Sequence, residues 1–261
     1  MYKVFGFFIG LALIVVGSTG CESSGSGGGG GSGLFGGKDL ISLHYDHAPD
    51  RDDGQSAAAD RTLLQSTVGT SRAIAVSGAH GRNAGSFNPA SDNVMNAAWP
   101  GQWIAAHGNR DAAVAALTDR WGSVLRNGGD IWVKEGGQSD LTAAVVAQIK
   151  AQQPDLNTKE RIHVVQHGQW NENQTTPAAL EYVRAETDYI RIANANSYLK
   201  GPRDETFVQA AVNHPTHGRY WQAAFDYYPN IIDFSDTGEL MHILGLGQIG
   251  IDEFRVRYLD Q

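Results

Sequence analysis

From residue 38 onward the chain alternates short, continuously apolar runs with longer segments whose apolar positions recur every three or four residues. The runs are Leu40-Ile41-Ser42-Leu43-His44-Tyr45, Ala73-Ile74-Ala75-Val76, Ile131-Trp132-Val133, Ile162-His163-Val164-Val165, Tyr189-Ile190-Arg191-Ile192 and Ile231-Ile232-Asp233-Phe234. Runs of this length without strict alternation suit strands covered on both faces, since a strand with one wet face alternates polar and apolar residues. Between them, Val114, Leu117, Trp121 and Val124 stand at helical spacing ahead of Gly128-Gly129. Residues 141–152 form a second helical segment stopped by Pro154, Thr176-Pro177 opens a third with proline at its first position, and residues 237–244 a fourth ending at Gly245. Gln55-Ser56-Ala57-Ala58-Ala59 is also helix-like, and Tyr220, Trp221, Phe225, Tyr227 and Tyr228 mark an aromatic helix expected in the core. The alternation predicts an α/β fold: an open, mostly parallel, doubly wound sheet with helices on both faces. Residues 81–103, rich in Asn, Gly and Ser, are expected to be one long loop, of the kind that often serves as a lid.

The N-terminus belongs to a different regime. Lys3 precedes an apolar stretch at residues 4–16, and Gly17-Ser18-Thr19-Gly20 leads into the sole cysteine, Cys21. The stretch falls short of the roughly 20 residues of a membrane-spanning helix. It resembles a bacterial lipoprotein signal, with Ser18 where a leucine is usual. The resemblance implies cleavage before Cys21, lipid on that residue, and a chain anchored in the cell envelope, periplasmic or on the outer surface; an uncleaved N-terminal anchor is the alternative. Residues 22–37 are read as a Gly/Ser-rich linker and residues 38–261 as a single domain. One cysteine leaves no disulfide for the fold. A formal net charge of -8 argues against a nucleic-acid partner, which needs a basic surface.

In a parallel sheet the C-terminal ends of the strands share one edge, where open α/β folds form their ligand crevice. The first run is followed by Asp46, Asp50, Asp52 and Asp53, and carboxylates this dense repel unless they are solvated or a cation neutralises them. The second run leads to His80 and Asn83, the third to Glu135-Gly136-Gly137-Gln138-Ser139-Asp140, and the fourth to His167, Trp170, Asn171, Glu172 and Asn173. Asn194 and Asn196 follow the fifth run, and Ser235 and Asp236 the sixth. Oxygen ligands of this kind select calcium or magnesium, calcium where about six to eight converge. His44, His47, His80 and His167 keep zinc conceivable, although no His-x-His or His-Glu-x-x-His spacing accompanies them. Spacing excludes an EF-hand, and there is neither a phosphate-binding glycine loop with its lysine nor a nucleophile elbow. Metal-assisted hydrolysis is the simplest remaining reaction class, in which a cation orients diol oxygens and a carboxylate takes a proton from water.

These residues also carry a resemblance. Asp46, Asp50, Asp52 and Asp53 after the first strand resemble the N-terminal acidic signature of the nucleoside-hydrolase-like superfamily. Gly136-Gly137-Gln138-Ser139-Asp140-Leu141 is similar to its glycine-rich loop, and Ser235-Asp236-Thr237 to its late motif. Within the superfamily the chain looks most like the nucleoside-hydrolase-like domains of bacterial cellulose-binding-type proteins. The resemblance implies a calcium ion held by Asp46, Asp53, Asp236 and the Ser139 carbonyl, with magnesium the lesser choice. Where the true nucleoside hydrolases carry a further aspartate, this chain has Ala48.

Together these readings give a calcium-dependent hydrolase of a glycosidic bond in a ribosyl or other sugar substrate. Asp50 and Asp52 are the candidate catalytic residues, and His80, His167, Trp170, Asn171 and Glu172 the candidate substrate contacts. Plainer roles stand beside them: Asp53 suits a helix N-terminus, Ser139 a helix cap, and the histidines ordinary loops. A non-catalytic glycan-binding lipoprotein on the same fold is the alternative function, and a scaffold with a merely solvated acidic turn is a third. Oligomeric state is not legible.

Overall fold

The computed structural model describes residues 34–47, 50–82 and 87–261. The signal-like segment, Cys21, most of the Gly/Ser-rich stretch, Ala48 and Asn83 lie outside the described residues. In chain order the elements are β1 (Leu40–Tyr45), α1 (Asp52–Ser66), β2 (Ala73–Ser77), α2 (Ser91–Ala98), β3 (Trp103–Ala105), α3 (Arg110–Arg126), β4 (Ile131–Gly136) and α4 (Asp140–Gln152). There follow α5 (Thr158–Arg161), β5 (Ile162–His167), α6 (Trp170–Gln174), α7 (Pro177–Glu186), β6 (Asp188–Ile192), α8 (Asn196–Leu199) and β7 (Lys200–Pro202). The last are α9 (Glu205–Asn213), α10 (Gly218–Tyr227), β8 (Ile231–Asp233), α11 (Thr237–Ile243) and α12 (Ile251–Tyr258).

The expected α/β architecture is present. Six strands form one all-parallel sheet in the order β3-β2-β1-β4-β5-β6, so the chain reverses its direction of travel between β1 and β4. That reversal opens a crevice outside the carboxyl ends of the two central strands. Alternate residues of each strand feed two cores. Ile41, Leu43, Tyr45, Trp132 and Val165 pack beneath α1, α2, α10 and α11, whereas Leu40, Ile131, Val133, Ile162 and Val164 pack beneath α3, α4 and α7. Both strand faces are therefore dry, which is why the strands read as unbroken apolar runs.

The helices follow local chemistry. Asn109 caps α3 by accepting from the Ala112 N–H at 3.0 Å, and Gly128, at φ 78°, closes it in the left-handed region that a side chain disfavours. Helix α1 is buried on nearly all sides, and its Ala57-Ala58-Ala59 run is small enough to be enclosed between the sheet and neighbouring helices. Close approach near the crevice is bought by glycine: a Cβ on Gly137 would overlap the Ala79 carbonyl oxygen, and one on Gly54 would stand 2.6 Å from the Tyr227 ring.

Three expectations change. The sixth apolar run, β8, is not a strand of the main sheet; it pairs antiparallel with β7, and the sixth position is taken by β3 at the edge. Residues 81–103 are not one loop, because α2 forms within them. The linker boundary also moves: Leu34 donates its N–H to the Ile243 carbonyl at 3.2 Å and Phe35 packs on the core, so residues 34–37 belong to the folded body. No helix among the described residues is long and apolar enough to cross a membrane.

Gly137→Ala is expected to cost about 1–3 kcal/mol, because the atom in the way is backbone and cannot swing aside. In a domain of this size each kcal/mol lowers Tm by roughly 2–4 °C. Gly37→Ala, with nothing within 4 Å of its Cβ, is the control and should melt with the parent chain.

Candidate active site

The turn after β1 is folded back on itself. Among the described residues His47 is the one non-glycine residue in the left-handed region, at φ 50°, a conformation that has to be held by its surroundings. Its N–H donates to Asp53 Oδ2 at 2.7 Å, and its imidazole lies 2.9 Å from Ser77 Oγ, packed against Tyr45, Tyr227 and Phe87. Burial first, then Lys134, pulls the His47 pKa down to about 3, so the ring is neutral. Asp46, 1 % exposed, accepts from the Gln138 amide nitrogen; Gln138 Oε1 in turn accepts from Gly81 N–H at 2.8 Å, and its own N–H reaches the Ala79 carbonyl at 2.8 Å. One glutamine thus ties together the loops after β1, β2 and β4.

The late aspartate meets the early cluster. Asp236, at the start of α11, accepts from His167 Nε2 at 2.8 Å, its Oδ2 lies 3.9 Å from Lys134 Nζ, and its charge is felt by Asp53. This meeting holds although β8 lies outside the main sheet, because α11 packs over the ends of β4 and β5. Burial alone would raise the Asp236 pKa, but Lys134 and the bond from His167 outweigh it and hold the pKa at about 2. Asp53 moves the opposite way, raised well above the ordinary carboxylate value by burial and by Asp46, Asp236 and Asp52. Asp53 Oδ1 is buried and has no hydrogen-bond partner among the described residues. Asp52 accepts from the Asp53 N–H at 3.1 Å and from Ser235 Oγ at 3.4 Å, with its pKa raised by burial and then by Asp236 and Asp50. Asp50 is half-buried and accepts from Arg51 N–H at 2.9 Å.

These residues border a polar cleft of about 230 Å³ lined by Asp50, Asp52, Asp236, His167, Trp170 and Asn171, together with Asn194, Asn196 and Lys200. Trp170 is 43 % exposed, an indole face free to meet a ligand. Two expected contacts are elsewhere. Glu172 is buried and committed to Arg184 at 2.6 Å, Arg191 at 3.3 Å and the Tyr189 hydroxyl at 3.0 Å, which leaves it no capacity to face the cleft. His80 lines a separate concavity with Gly81, Arg110 and Asp140. Ser139 is fully buried at the N-cap of α4, where its carbonyl accepts from Ala143 N–H at 2.8 Å; its Oγ makes no cap bond.

Comparison of the chain with models of protein families, with curated proteins and with solved structures finds no match in any of the three. The site is therefore read from its own chemistry.

The acidic donor set suits a hard cation, and the unpartnered Asp53 Oδ1 is an oxygen such an ion would satisfy. As the side chains stand, no three His, Cys, Asp or Glu among the described residues are grouped to hold a metal ion. The residues missing from the sequence reading are those that carry the internal balance. Lys134, Asp60 and Glu239 are all 0 % exposed; Lys134 Nζ lies 3.7 Å from Asp60 and 4.2 Å over the Tyr45 ring, and Glu239 accepts from His167 N–H at 2.7 Å. A lysine on the same strand face as Trp132 was the available signal.

On the opposite face, Ser42 Oγ lies 3.1 Å from His44 Nε2, and His44 Nδ1 lies 3.0 Å from Glu135. The connectivity is that of a nucleophile triad, yet all three side chains are 0 % exposed and Trp121 stacks on His44. With no route for a substrate, the chain of bonds is structural.

Asp52, Asp53 and Glu239 keep their protons in the folded, cation-free chain at pH values where the unfolded chain has lost them. The folded state then binds more protons, so stability falls as pH rises above the ordinary carboxyl range. Asp236 contributes the reverse, stability present above its unfolded value and lost as pH falls through about 2. In chelator, Tm is expected to decline from about pH 5 toward pH 8, and Asp53→Asn to flatten the decline. A parent Tm that does not change over that interval would contradict this balance.

Proposed function

We propose that the chain is a metal-assisted hydrolase of a glycosidic bond, acting on a ribosyl or other sugar substrate outside the cytoplasm while tethered through Cys21. The observation that carries the reading is the meeting of Asp236, held by His167 and facing Lys134, with the Asp46, Asp52 and Asp53 cluster, which brings acidic motifs from the two ends of the domain to one polar cleft. Asp46, Asp53 and Asp236 would hold a calcium ion, with the second lone pair of the Ser139 carbonyl as a further ligand. When bound, such an ion orients sugar hydroxyls and renders a water more acidic. Asp52, at the cleft wall, is the base that takes the proton from water once a bound cation has drawn off its own, with Asp50 beside it. His167 fixes Asp236; Asn171, Asn194 and Asn196 present amides to hydroxyls, and Trp170 offers its ring to the sugar face. The resemblance to the nucleoside-hydrolase-like superfamily supports this order of roles.

A second reading, a glycan-binding lipoprotein that cleaves nothing, is favoured by one observation: Lys134 already supplies a positive charge to Asp236.

Calorimetric titration of the metal-stripped chain with calcium should show binding that Asp53→Ala abolishes. Turnover of p-nitrophenyl riboside or of a nucleoside panel should fall at least about 100-fold in Asp52→Ala. Sugar binding with no turnover would establish the second reading, and a chain that takes up no calcium would overturn the first.

A further inference from the structure

Lys134 is a buried ammonium with three donors and no hydrogen bond among the described residues. Its Nζ stands between two carboxylates, 3.7 Å from Asp60 Oδ2 on the core side and 3.9 Å from Asp236 Oδ2 on the cleft side. Asp60 is itself fixed by the Tyr45 hydroxyl at 2.6 Å, and the place Nζ occupies is kept open by Gly136, whose Cβ would overlap it. The ammonium is thus aimed into the acidic cluster and shared between an anchor and a member of the cluster.

We propose that Lys134 is the built-in cation of this site, a positioning residue that holds Asp236 in place and sets how tightly the cluster takes up a divalent ion. The inference rests on the reading of Asp46, Asp53 and Asp236 as the ion's holders. A dication entering the cluster has to share Asp236 with the ammonium and is repelled by it, and burial leaves that repulsion poorly screened. Asp60 moderates the effect by drawing the ammonium toward the core. The affinity of the site is therefore set by a tug between Asp60 and Asp236.

Calcium affinity is measured calorimetrically on the full metal-stripped chain and two variants. Lys134→Met keeps the straight side chain and removes the charge; its Kd for calcium should fall at least about tenfold. Asp60→Asn keeps the ammonium and frees it toward Asp236; its Kd should rise by a similar factor. A purely structural lysine predicts no tightening in Lys134→Met, and an unchanged or weaker affinity in the folded variant overturns the proposal. Should Lys134→Met fail to fold, Asp60→Asn decides: an affinity equal to or tighter than the parent overturns it. Calcium binding by Lys134→Met alone upholds the role of Lys134 and overturns the reading for the native chain. Binding by neither overturns both.

Discussion

The structure is governed by the burial of an excess of acid. Asp46, Asp53, Asp60, Asp236 and Glu239 are withdrawn from water, with the Lys134 ammonium between Asp60 and Asp236. Isolated carboxylates do not survive such burial in charged form, so each is either protonated, hydrogen-bonded or paired. The local oddities follow. His47 adopts its left-handed conformation with its N–H on Asp53, Gln138 spends its amide on Asp46, and Gly136 and Gly137 forgo side chains so that Nζ and the Ala79 carbonyl can come close.

Much of this fold is legible in the chain because both sheet faces are dry. Five of the six apolar runs are main-sheet strands, and the run at residues 40–45 coincides with β1. The misreadings have physical causes. Ile231-Ile232-Asp233 is as apolar as a central strand, but its partner is the short β7, which ends in Pro202. Trp103–Ala105 is three half-buried residues at the sheet edge, too little pattern to stand out. At the site, Asp46, Asp52, Asp53 and Asp236 were visible as acidic strand ends, and they converge. Lys134 was not, because a lysine at the end of an apolar run reads as the strand leaving the core, and only Asp60 and Asp236 explain why it stays. Glu172 was visible for the wrong reason: its charge answers Arg184 and Arg191, which lie in a later helix and strand.

The cleft is lined from the segments after β1, β5, β6 and β8, with Asp52 and Asp236 among its lining residues. Carboxyls shifted in opposite directions lie side by side there, Asp53 raised by burial and by its acidic neighbours and Asp236 held low by Lys134 and His167. That asymmetry between neighbouring carboxyls is what acid–base chemistry requires of a site, and here it is produced by one lysine and one histidine on the side of Asp236.

The enclosed Ser42, His44, Glu135 and Thr142 chain has a consequence for how the sheet is assembled. His44 stands opposite Glu135 in the β1–β4 ladder, and Thr142 donates to the same glutamate at 2.6 Å. Sliding β1 by two residues would preserve the dry faces and much of the apolar match, yet it would set His44 opposite Val133 and strand a buried carboxylate. The network works as a key cut for one alignment: apolar burial draws the two central strands together, and polar pairing rejects the near-miss.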